Sequence, residues 1–176
     1  MIRRILVFAA LFLLMFLLAL AEQSFLPYFS VMSAIPKLVF AVFFLLIFFE
    51  PKYGYSVGIF SVIVAGFLLD ISLPPHFGIA MVSLAVIYIF RKAITFFLKE
   101  GADKYLIFYF LALFCLAFFG YHGLLYVVLA LFGQSYPLGL PILISLVYSL
   151  PFVVIGFYAY NLVAERQTQN KQLKLL

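Results

Sequence analysis

The run YLIFYFLALFCLAFFGYHGLLYVVLALF, residues 105–132, holds 28 consecutive residues without an Asp, Glu, Lys or Arg. A helix needs about 20 apolar residues to cross the hydrocarbon of a bilayer. The run therefore predicts a membrane helix, longer than required and tilted or bent at Gly120 and Gly123. Composition extends the reading to the whole chain of 176 residues. The hydrophobic fraction is 68% and the charged fraction 10%, against about 45–50% and about 25% in soluble domains, and mean hydropathy is +1.27. Polar groups this scarce cannot cover the surface of a soluble domain, which excludes a soluble fold, a disordered chain and a cytosolic enzyme. The single cysteine, Cys115, lies inside the apolar run, so an intrachain disulfide scaffold is excluded as well.

Working outward, five more apolar runs stand apart at Pro, Gly and charged residues. Their approximate limits are 5–21, 34–49, 55–69, 77–90 and 139–163. With 105–132 they predict an all-α, polytopic domain of six transmembrane helices over residues 1–163, followed by a polar tail, 164–176. Run 5–21 follows Arg3 and Arg4 and ends in Ala19-Leu20-Ala21. It exceeds the usual h-region of a secretory signal and is read as a retained helix. A loop holding Glu22, Gln23 and Pro27 is expected next, and Pro36 suits a helix start.

Charge sets the expected orientation. With six crossings and a cytoplasmic N-terminus, Arg3, Arg4, Lys52, Arg91, Lys92, Lys99, Lys104, Arg166, Lys171 and Lys174 fall inside and only Lys37 outside, as the positive-inside rule requires. Both termini are then cytoplasmic. The net charge of +5 is explained by anionic lipid, and nucleic acid is not implied. Between Arg91 and Lys104, Ile94, Phe97 and Leu98 share a helical face. The stretch reads as an interfacial helix or an extension of the fourth span, or else as a solvated loop. Its cations Arg91, Lys92, Lys99 and Lys104 form a cytoplasmic basic patch for lipid or a partner.

No residue pattern carries catalysis. His76 and His122 are far apart, no serine stands in a nucleophile elbow, and no phosphate loop or metal-spaced cluster occurs, so neither enzyme activity nor a cofactor nor a metal is expected. Asp70 is the exceptional acid. It ends the third run, where the helix dipole disfavours a negative charge. Two readings stand: a functional carboxylate at membrane depth, contacting a partner or substrate or capping the following turn, or a helix end reaching headgroup water. In the third run Gly54, Gly58, Ser61 and Ala65 fall on one stripe. Such a stripe permits close helix packing, internal or intermolecular, although small residues are common in membrane helices generally.

The segment Gly66-Phe67-Leu68-Leu69-Asp70-Ile71-Ser72-Leu73-Pro74-Pro75-His76-Phe77-Gly78-Ile79 resembles the signature of the MreD family of rod shape-determining proteins, with a G-x-x-x-D turn and a Pro- and Gly-containing restart. The resemblance covers roughly residues 36 to 90; two prolines and His76 depart from the small polar residues more usual at the turn. It implies a non-enzymatic, multi-pass protein of the bacterial inner membrane. Such a scaffold binds MreC and helps couple MreB to RodA and its transpeptidase during lateral peptidoglycan synthesis. On this reading Gly66, Asp70, Pro74, Pro75 and Gly78 form a docking surface or a structural turn. The family is similar in fold to the substrate-binding subunits of energy-coupling-factor transporters, which makes a small-molecule transporter subunit the competing expectation. Those subunits dock through a small-residue face on their first helix. Here Leu13 and Leu14 follow four residues after Ala9 and Ala10, which argues against that docking.

Overall fold

The computed structural model describes residues 2–30, 32, 34–50, 55–71, 78–97, 106–136 and 139–172. Helices dominate them: α1 (Ile2–Leu20), α2 (Leu38–Phe48), α3 (Tyr55–Ile71), α4 (Ile79–Phe97), α5 (Leu106–Leu131) and α6 (Leu140–Gln172). The loop expected after residue 21 is instead helical, a π turn over Ala21–Phe25 and a 3-10 turn over Leu26–Phe29. The polar segment from Ala164 onward continues α6 as far as Gln172. α5 continues as one helix through Gly120 and Gly123.

The six-crossing architecture predicted from hydropathy does not stand. Among the described residues only Ile5–Phe29, Leu106–Leu131 and Leu140–Leu162 are long and apolar enough to cross a membrane. At 1.5 Å per residue, the 11 residues of α2 reach about 16 Å. The apolar helix Ser56–Ile71 reaches about 24 Å, and the part of α4 before Arg91 about 18 Å. Each falls short of about 30 Å of hydrocarbon. The orientation built on six crossings, with both termini cytoplasmic and ten of eleven cations on one side, falls with it. The chain is a multi-pass, membrane-associated all-α protein.

The short helices make sense from their packing. Eight of the 11 residues of α2 are buried, and the other three, Val42, Leu45 and Leu46, are partly buried along one narrow face, as expected of a helix apolar all round and largely enclosed by its neighbours. Phe40 meets Phe114, Phe118 and Tyr121 of α5, while Phe44 meets Phe110 and Phe114. Phe49, just beyond α2, stacks on Tyr160 of α6 at 3.7 Å between centroids. Each well-placed ring pair adds about 0.5–1.5 kcal/mol. α2 also packs on α3, α6 and α1, and α3 lies against α4 most extensively of all. α1 is peripheral: Met15 and Ala19 are buried, whereas Ile5, Leu6, Leu13 and Leu17 are exposed.

Candidate functional site

Helices that end inside a bundle leave amide N–H groups at one end and carbonyls at the other without partners in the helix. Where water is excluded, such groups must be satisfied by protein. Among the described residues the buried charges, Glu22, Glu50, Asp70 and Arg91, lie near such ends.

α4 begins after Gly78, whose carbonyl accepts from the Val82 amide at 3.0 Å. The φ of Gly78 is +102°, a conformation that favours glycine, and glycine offers no side chain to cap the helix. Asp70, eight residues earlier on the last turn of α3, supplies the cap. Its Oδ1 accepts from the Ala80 amide at 2.7 Å and its Oδ2 from the Met81 amide at 3.3 Å. These are the second and third positions of the helix, the amides a local cap would serve. The dipole that disfavours Asp70 at the end of α3 is thus answered by the favourable N-terminus of α4. Gly66, one turn before Asp70, makes the approach possible: a Cβ there would lie 2.6 Å from the Met81 Cα.

α2 receives the same treatment at both ends. Lys37, which precedes it, makes no side-chain cap. Glu22, 4% exposed, instead accepts from the Val39 amide at 3.3 Å through Oε2 and from Lys37 Nζ at 3.1 Å through Oε1. Two serines of α6 complete this end. Ser149 Oγ accepts from the Lys37 amide at 2.8 Å, and Ser145 Oγ donates to the Ile35 carbonyl. At the other end the Arg91 guanidinium donates to the Phe48 carbonyl and lies 5.6 Å from the centre of its ring. An anion at the N-terminus and a cation at the C-terminus are the signs the helix dipole favours. Beside Arg91, the buried Glu50 accepts from the Tyr88 hydroxyl at 2.6 Å. Gly58 leaves room for the Glu50 carboxylate and the Tyr88 ring, since a Cβ would collide with both.

The residues singled out in the sequence separate accordingly. Gly66, Asp70 and Gly78 converge on the junction of α3 with α4; Pro74 and Pro75 lie outside the described residues. Of the stripe, Gly58, Ser61 and Ala65 are buried inside the bundle, with Ser61 Oγ donating to the Gly58 carbonyl at 2.8 Å. Gly54 lies outside the described residues. Of the basic patch, Arg91 is buried and Lys92 sets its ammonium 4.3 Å from the Tyr88 ring centre. Both belong to α4, while Lys99 and Lys104 lie outside the described residues. Glu22, Lys37 and Glu50 were not singled out by the sequence. The signal for Glu22 and Glu50 was their position directly after an apolar run, 5–21 and 34–49 respectively, and their partners lie elsewhere in the chain.

His122 of α5 is also buried. Its Nδ1 pairs with the Tyr136 hydroxyl at 2.6 Å, and its Nε2 has no hydrogen-bond partner among the described residues. Burial pushes the Tyr136 hydroxyl, in the segment between α5 and α6, up to about 12. Among the described residues no three His, Cys, Asp or Glu side chains group as a metal site. Compared with protein-family models, with curated proteins and with solved structures, the chain finds no match in any of the three.

Proposed function

We propose that this chain is a non-enzymatic scaffold of the bacterial inner membrane. In this reading it belongs to the cell-elongation machinery, binds MreC, and helps couple MreB to RodA and its transpeptidase. The proposal starts from the resemblance of residues 66–79 to the MreD signature. One observation supports it: Gly66, Asp70 and Gly78 serve a single purpose, holding α3 and α4 together as a hairpin. A surface of fixed shape lowers the ordering cost of binding a partner. In lipid, where apolar burial alone does not drive helix association, such shape complementarity matters more. Asp70 is 3% exposed, so its part in docking is to hold the hairpin, with the partner contacting neighbouring residues.

The test is depletion of the protein in a rod-shaped host, followed by microscopy and recovery of MreC. Rounding of the cells, and loss of MreC co-purification in a Gly66→Leu variant present at normal level, are expected. Cells that stay rods after depletion would overturn the reading.

A further inference from the structure

Of the helices too short for a full crossing, α2 is largely enclosed, but α3 and α4 are not. On α3 the exposed large side chains are Ile59, Ile63, Phe67 and Ile71, one in each turn. At 1.5 Å per residue they make an apolar strip about 18 Å high. On α4, packed against α3, they lie between Val82 and Phe90, a band of about 12 Å. The exposed apolar residues of α5 run from Phe108 to Leu131 and those of α6 from Leu140 to Leu162, about 34 Å and 33 Å. These two match about 30 Å of hydrocarbon; the strip on α3 does not. Chemistry sets its limits. Exposed Ser56 precedes it. Ile71, 55% exposed, ends α3, and the last carbonyls of a helix have no partners within it. A lipid-facing helix end is excluded from hydrocarbon, so the hydrocarbon stops near Ile71. On α4, Phe90 is followed at once by Arg91 and Lys92.

The side chains of the strip select what covers it. Helices associate in lipid through small residues that let backbones approach. Those of α3, Gly58, Ser61, Ala65 and Gly66, are all buried within the bundle, and its outward residues are three isoleucines and a phenylalanine. Such side chains hold a second helix off, whereas acyl chains conform to them. A helix too short for its bilayer is accommodated when the bilayer thins around it, and tilting would only shorten its reach. We propose that the α3–α4 face is covered by lipid of a locally thinned bilayer, and that it gathers short-chain lipid in preference to long. The full-length spans remain the three described above. A docking partner then meets the α3–α4 hairpin at its ends rather than along its side.

The chain has no tryptophan, so a single introduced one reports the lipid beside it. Ile63→Trp on α3 and Ile155→Trp at an exposed position of α6 are each placed, in the full chain, in vesicles of equal parts dimyristoleoyl and dioleoyl phosphatidylcholine. In one sample the short-chain lipid is brominated and in the other the long-chain lipid, and fluorescence quenching measures the share of each. The short-chain share beside the α3 reporter is expected to exceed that beside the α6 reporter about twofold. Should Ile63→Trp fail to fold, Ile59→Trp samples the same strip. Equal shares at the two reporters would overturn the proposal. So would an α3 reporter that neither lipid quenches, since protein would then cover the strip. None of these outcomes depends on cell shape or MreC, so failure here is distinct from failure of the scaffold reading.

Discussion

Asp70 is carried by the last turn of α3 and serves the first turn of α4, its Oδ1 standing 2.7 Å from the Ala80 amide. One carboxylate thereby joins two helices across a junction that its own backbone dipole would discourage. Replacing it by alanine leaves the Ala80 and Met81 amides unpaired in a buried setting, at a cost of about 1–3 kcal/mol. Asp70→Asn, which keeps one acceptor oxygen and loses the charge, is expected to cost about half as much on the same scale. Thermal unfolding in detergent measures both, and faster amide exchange at residues 80–82 should accompany the loss.

Two glycines make opposite predictions. Gly66→Ala drives a methyl into the Met81 backbone, which cannot move aside as a side chain could, and should destabilise by about 1–3 kcal/mol. Gly120→Ala meets open space and should stabilise α5 by up to about 1 kcal/mol. Equal effects of the two substitutions on the melting temperature would contradict the close approach of α3 and α4.

The two ends of α2 are held by unrelated residues about 16 Å apart along the helix. Glu22→Ala and Arg91→Met should each destabilise, by about 2–4 kcal/mol where a buried partner is left unpaired. Their effects should add within about 0.5 kcal/mol, as for independent sites. A double variant no less stable than the worse single one would show that the ends do not act separately.

Tyr136 supplies a pH prediction. Its hydroxyl is held up to about 12 by burial, above the value near 10 of an unfolded chain. A raised value favours the protonated form, so the contribution of Tyr136 is complete below about pH 10 and is lost as pH rises toward about 12. The stability difference between wild type and Tyr136→Phe should stay constant from pH 7 to 10 and then shrink. A difference that shrinks between pH 7 and 9 would be inconsistent with a buried hydroxyl bonded to His122.

Much of the helical content was legible because a long apolar run in a membrane protein has few alternatives to a helix. Residues 105–132 correspond to α5 within one residue at each end. The span count was not legible, and α2 explains why. Hydropathy reports that a side chain avoids water without saying whether lipid or protein takes water's place. The rings of Phe40, Phe44 and Phe48 face other helices, and a helix sheathed in this way need not match the thickness of a bilayer.

The sequence by itself determined the class of the molecule: an all-α membrane protein whose few charges gather where apolar runs end. It also marked Gly66 and Asp70 as exceptional, through a glycine and an acid one turn apart at the end of an apolar run. Only the tertiary structure decided what those charges do. Glu22, Asp70 and Arg91 each serve a helix end remote in sequence, at Val39, Ala80 and Phe48. The physical reason is that an unpaired amide or carbonyl at a buried helix end can be satisfied by whichever charged side chain the packing brings near, and local spacing along the chain carries no record of that encounter.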